Sequence, residues 1–91
     1  MYVVNGDIKY QVKWVHVRTE GFPEQTRCTI LKFQDGKDEE IFSQAHAICS
    51  RKDNFSKSIG RKVSMRKSLM KFTNKNLRRT FWTTYLNSNI K

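Results

Sequence analysis

The 91 residues carry 18 Lys/Arg against 8 Asp/Glu, a formal net charge of +10, with 37% apolar and 12% aromatic side chains. That length predicts one domain over residues 1–91; no stretch nears the roughly 18 consecutive apolar residues of a membrane span. The start, Met1 to Asp7, lacks the basic region and apolar core of a secretory signal, and one Pro with four Gly excludes collagen and flexible linker.

The elements run strands first, helices last. Asn5-Gly6 is a favoured hairpin pair and predicts that Tyr2-Val3-Val4 folds back as a short edge strand. Ile8 to Thr19 alternates, with Ile8, Tyr10, Val12 and Trp14 on one face and Lys9, Gln11 and Lys13 on the other. Thr19 to Glu24, holding Gly21 and Pro23, reads as a loop, and Thr26 to Gln34 as the next strand. Asp35-Gly36-Lys37-Asp38 is a turn. Glu39 to Ser50 is the following strand, with Ile41, Ser43, Ala45, Ala47 and Cys49 facing one way and Phe42, Gln44, His46 and Ile48 the other. Ser43 to Ala47 also suits a helix, but the turn before it and the loop after it favour a hairpin.

Beyond a polar break at Arg51 to Asn54 the period turns helical, with Asn54 or Ser56 as the cap. A helical wheel gathers Phe55, Ile59, Val63 and Met70, widened by Met65, Leu69 and Phe72, into the expected buried face. Lys57, Arg61, Ser64, Lys67, Ser68 and Lys71 fall opposite. Lys62 and Arg66 lie within the apolar arc and would snorkel. Gly60 either lets the helix approach the sheet closely or delays its start to about Arg61. After a second break at Thr73 to Asn76, Leu77, Phe81, Trp82, Tyr85 and Leu86 give a short final helix, with Arg78 and Arg79 pointing elsewhere. The expected fold class is α+β: a three- or four-stranded antiparallel sheet over residues 1–50 followed by two C-terminal helices over 51–91 packed on one face, β-β-β-α-α.

Catalytic and metal motifs are absent from the string: no CxxC, HExxH, Walker-type or GxGxxG pattern occurs. The expectation is a non-enzymatic chain with no cofactor and no metal. A hairpin closed at Gly36-Lys37 sets Cys28 opposite Ala45 and leaves Cys49 on the order of 13 Å away along the sheet. That is too far for a disulfide, which predicts two free thiols, a reducing compartment and a cytoplasmic protein. Asn54-Phe55-Ser56 matches a glycosylation acceptor string, but such strings arise by chance and act only on a secretory route.

Charge is the informative feature because of where it sits. Residues 1–50 hold six Lys/Arg against seven acids, whereas residues 51–91 hold twelve against the single Asp53. Such an excess calls for a polyanion. A nucleic-acid site needs cations close enough together to displace condensed counterions and needs no catalytic constellation. The residues expected to bind nucleic acid or an acidic partner are Arg51, Lys52, Lys57, Arg61, Lys62, Arg66, Lys67 and Lys71 on one loop-helix unit, with Arg78 and Arg79 beyond it. Ser56, Ser58 and Ser64 are expected to donate hydrogen bonds to the same backbone, and Phe55 and Phe72 to be core rather than stacking platforms. No base-reading motif is present, so backbone contact predominates. The alternative is an inhibitor or adaptor that docks this face on an acidic protein. A Phe81/Trp82/Tyr85 surface left uncovered by the sheet would favour a homodimer.

Two resemblances add to this reading. Strand, loop, then Ser58-Ile59-Gly60-Arg61-Lys62-Val63-Ser64-Met65-Arg66-Lys67-Ser68-Leu69 resembles the C-terminal half of a double-stranded-RNA-binding domain, and implies phosphate contacts from Arg61, Lys62 and Arg66. The N-terminal helix of that family is missing here, and a second C-terminal helix follows. Asp53-Asn54-Phe55-Ser56-Lys57, with Gly60-Arg61-Lys62 after it, is similar to a string in small bacteriophage accessory proteins and covers about a third of the chain. It implies a phage-encoded, host-directed protein, with inhibitors of defence systems such as CRISPR as one class. Such a protein would act in the bacterial cytoplasm by covering guide or target nucleic acid, a nucleoprotein complex, or an acidic host protein.

Overall fold

A computed structural model describes residues 1–48 and 56–88. Its elements are β1 (Tyr2–Asn5), β2 (Ile8–Val17), β3 (Gln25–Gln34), β4 (Glu40–Ile48), α1 (Lys57–Leu69) and α2 (Lys75–Leu86). The strands form one antiparallel sheet in the order β1-β2-β3-β4, so four strands precede the two helices. The first hairpin closes one residue later than the Asn5-Gly6 pair implies: Asn5 pairs with Ile8, and Gly6-Asp7 form the loop. Gly6 sits at φ +60 while Asp7 stays at negative φ. Glycine first and an ordinary residue second is the type II′ arrangement, which matches the twist of the flanking strands.

Cys28, a free and buried thiol, lies opposite Ala45 as expected, but the hairpin closes on Gly36, with Lys32 paired to Glu40, and an extra residue further along β4 shifts the register by one to bring Ala45 there. Cys49 and the cap candidate Asn54 lie outside the described residues. The strand faces differ from simple alternation at one place. Ile30 pairs with Ser43 but Leu31 pairs with Ile41, so the ladder is irregular at Phe42. An extra residue there breaks the period of two. Phe42 therefore turns toward the helices, 5.8 Å from the Tyr10 ring and 4.5 Å from Phe72, and Ile41 is left exposed.

The core lies between the sheet and the helices. Val3, Tyr10, Val12, Cys28 and Ile30 meet Met65, Leu69, Phe72, Phe81 and Tyr85. Tyr10 is the hub, with Phe72 and Phe81 rings 5.2 and 5.6 Å away. Such offset and edge-on contacts add to the apolar area they bury. Phe72 is core, as expected. Phe81 and Tyr85 are fully buried, so of the three aromatic residues expected to offer a homodimer surface only Trp82 is partly uncovered. No helix of the described residues is long and apolar enough to cross a membrane.

α1 departs from the wheel drawn on its apolar residues. It starts at Lys57 with Ser56 as its cap and keeps Gly60 inside the helix. The buried positions are Gly60, Ser64, Met65, Ser68 and Leu69, while Ile59 and Met70 are 63% and 77% exposed. The reason is the surface beneath. α1 crosses β3 and β4, whose helix-facing residues there are Cys28, Ser43, Ala45 and Ala47. Small residues on both sides bring helix and sheet close, and close approach lets polar side chains be satisfied by backbone. Across the seam Ser68 donates to Cys28 O at 3.3 Å and Ser43 to Ser68 O at 2.7 Å, while the buried Ser64 is satisfied within α1 by donating to the Gly60 carbonyl at 2.7 Å.

α2 follows its wheel. Asn74 caps it by accepting from Leu77 N at 3.1 Å. It reaches over to β1 and buries Phe81 and Tyr85, with Leu77 and Trp82 partly covered.

Candidate nucleic-acid interface

Residues 56–88 contain nine Lys/Arg and no acid. The ion pairs Arg18–Glu24 and Lys32–Glu40 (3.8 Å) both belong to the strand half. The helices thus present cations without carboxylates of their own to answer them.

The ten expected binding residues do not form one set. Arg51 and Lys52 lie outside the described residues. Lys57, Lys62, Arg66 and Arg79 are exposed. Lys62 and Arg66 do not snorkel, because the arc they occupy faces solvent rather than the sheet. Arg61 is half-buried, and its carbonyl accepts a hydrogen bond from Trp14 Nε1 at 3.2 Å. That ties the middle of α1 to β2, so Arg61 has a structural part whatever its side chain does. Ser64 is fully buried and is corrected from a phosphate donor to a packing residue. Ser68 joins it, since small polar residues at four-residue spacing here mark the sheet contact and not the wet face.

Lys67 and Lys71 have a second engagement. Lys67 Nζ donates to the His46 carbonyl at 3.1 Å, and Lys71 Nζ donates to the Phe42 carbonyl at 2.5 Å. Lys71 also stands 4.6 Å over the Phe42 ring. β4 is an edge strand, and an edge presents unpaired carbonyls that invite another strand. The two ammonium groups cover those carbonyls while remaining solvent-exposed. Arg78 is likewise committed: it is half-buried and Nη1 donates to the Phe72 carbonyl at 2.5 Å, which closes the turn between the helices.

Between the helices lies an open groove of about 570 Å³. Leu69, Met70 and Trp82 give it apolar walls; Arg66, Lys75, Arg78 and Arg79 stand around them. Lys75 and Trp82 were not among the expected site residues. Lys75 shares a face with Arg78 and Arg79 at three- and four-residue spacing, a signal present in the sequence. Trp82 sits on the apolar side of its wheel and reads as core, which it is only in part.

A second recess of about 340 Å³ is lined by His16, Val17, Arg18, Glu24 and Lys57. His16 Nδ1 lies 2.9 Å from Thr26 Oγ1. Burial, with the charges of Lys57 and Arg61, holds the His16 pKa below its ordinary value, against an opposing pull from Glu24. A neutral imidazole beside the start of α1 is the outcome at neutral pH. Among the described residues no three His, Cys, Asp or Glu side chains converge to hold a metal ion.

Comparison with protein-family models, with curated proteins and with solved structures returned no match for this chain.

Proposed function

We propose that this chain is a non-catalytic module that binds nucleic acid, or a nucleoprotein, through the cationic outer surface of α1 and α2. One observation carries the reading: nine cations and no acid in residues 56–88, with Lys57, Lys62, Arg66, Lys75 and Arg79 exposed. Clustered cations gain by displacing the counterions condensed on a polyanion. A role as a phage-encoded inhibitor of a host defence system extends this reading and rests on the string resemblance alone.

The test is a salt titration of the purified chain, stripped of nucleic acid, against duplex DNA, duplex RNA and single strands. Binding should be submicromolar at low salt and fall steeply as salt rises. The variant Lys62→Glu/Arg66→Glu should weaken affinity by at least about ten-fold and flatten the log–log slope by about 0.7–0.9 for each phosphate it no longer neutralises. These two positions are better than Arg61, whose side chain is half-buried. No binding at low salt would sink the proposal.

A second reading has its own support. Ile59 and Met70 are exposed among these cations, a mixture suited to an acidic protein with an apolar patch. Capture of a partner that survives nuclease, with no affinity for any oligonucleotide, would favour it.

A further inference from the structure

Resting on the nucleic-acid reading, we infer that the groove between α1 and α2 takes an unpaired base of a single strand, packed against Trp82 and Met70. Arg66, Lys75 and Arg79 would hold the flanking phosphates. Three observations carry this. The first is the pairing of apolar walls with a cationic rim in one groove, which suits a ligand with a flat apolar face and anions on either side of it. Phosphate alone would be met by the rim without the walls. Base–aromatic stacking tolerates any sequence because each base has a π-face, in keeping with the absence of a base-reading motif.

The second is that the groove is held in shape. Trp82 stands nearly perpendicular to the buried Tyr85, with ring centroids 6.1 Å apart. Arg78 is anchored on the Phe72 carbonyl at the turn. A pre-set wall loses less freedom on binding than a mobile one.

The third is the line of charge that leads into the groove. Lys62 and Arg66 stand four residues apart on the exposed face of α1, a step of about 6 Å. A chain of phosphates can follow such a line past the groove. An acidic peptide seated in the groove would need only its rim, which is why the line favours a polyanion.

The experiment compares a short single-stranded deoxyoligonucleotide with an abasic strand of the same length and charge, by fluorescence anisotropy on the full chain at low salt. The intact strand should bind about ten-fold more tightly than the abasic one, the size of one stacked base. Trp82→Leu, which keeps an apolar side chain, should erase that gap while leaving abasic binding unchanged. If Trp82→Leu fails to fold, Met70→Gln at the exposed wall should narrow the gap instead. Equal affinities for intact and abasic strands in the unaltered protein would overturn the groove assignment and leave the phosphate reading standing. Failure of both strands to bind would remove the function proposed above as well. Saturable binding of a synthetic acidic amphipathic peptide, abolished in Arg66→Glu/Arg79→Glu and unmatched by either strand, would overturn both and give the groove to a protein.

Discussion

α1 sets Gly60, Ser64 and Ser68 against β3 and β4, whereas α2 reaches β1 and buries Phe81 and Tyr85. The first contact is close, polar and hydrogen-bonded to backbone; the second is aromatic and fills volume. Each follows from the sheet below it. β3 and β4 offer Cys28, Ser43, Ala45 and Ala47 at the α1 crossing, so bulky residues there would hold the helix off. Tyr10 and Trp14 offer rings, with Tyr10 5.6 Å from Phe81 and Trp14 5.6 Å from Tyr85. A consequence reaches the candidate site. Because α1 spends its small residues inward, Ile59, Lys62, Arg66 and Met70 all face outward, and the groove beside Trp82 acquires both its charge and one apolar wall.

The comparison can be broken by substitution. Phe81→Ala should cost the most, about 3–5 kcal/mol, out of roughly 5–14 kcal/mol expected for a chain of this length. Urea denaturation should register it as a large drop in midpoint. Ser64→Leu should cost about 2–3 kcal/mol, because the close seam cannot admit the added volume. If Ser64→Leu were neutral or stabilising by the same measurement, the seam would not be tightly packed.

Cys28 tests the seam from the sheet side. Burial pushes its thiol pKa up to about 11 from 9.0, partly offset by the Ser68 hydrogen bond. The unfolded chain therefore releases this proton at lower pH than the folded one. Stability is intact below about pH 9 and falls between about 9 and 11, by at most about 1.4 kcal/mol per unit. Denaturation midpoints across that range, compared with Cys28→Ala, isolate the effect; identical slopes in the two proteins would refute it.

The smallest effect is expected on the α2 side. Tyr85 Oη is buried with no hydrogen-bond partner among the described residues. Tyr85→Phe removes a polar group that gains nothing there, so it should be neutral or stabilising by up to about 1 kcal/mol. A clear drop in thermal midpoint would show that the hydroxyl is satisfied.

Much of this is legible in the residues. Alternation over Ile8–Trp14 places β2 and its inward face, and α2's apolar positions name its buried side; Cys28 meets Ala45 as expected only because the extra residue at Phe42 offsets a hairpin that closes on Gly36. The wheel for α1 is right about Met65 and Leu69 and wrong about Ile59 and Met70, because it ranks residues by apolarity, while the sheet beneath also selects Gly60, Ser64 and Ser68 by size. Phe42 escapes alternation for a related reason: one unpaired residue in the β3–β4 ladder swaps its face, and nothing in Glu40–Ile48 announces it. Among the site residues, the cationic character of the helical half is plain in the string. Which of those cations are already occupied is not.

The sequence by itself determined the order of elements, the turns, and the placement of nearly all the excess charge in the last 41 residues. These depend on local period, backbone preference and composition, each readable along the chain. Only the tertiary structure decided which side of α1 meets the sheet, that Lys67 and Lys71 cover the edge of β4, that Arg78 closes the inter-helix turn, and that Arg66, Lys75, Arg79 and Trp82 share one groove. Those outcomes are set by how closely two surfaces can approach and by which backbone carbonyls are left open, and both arise between segments distant in the chain.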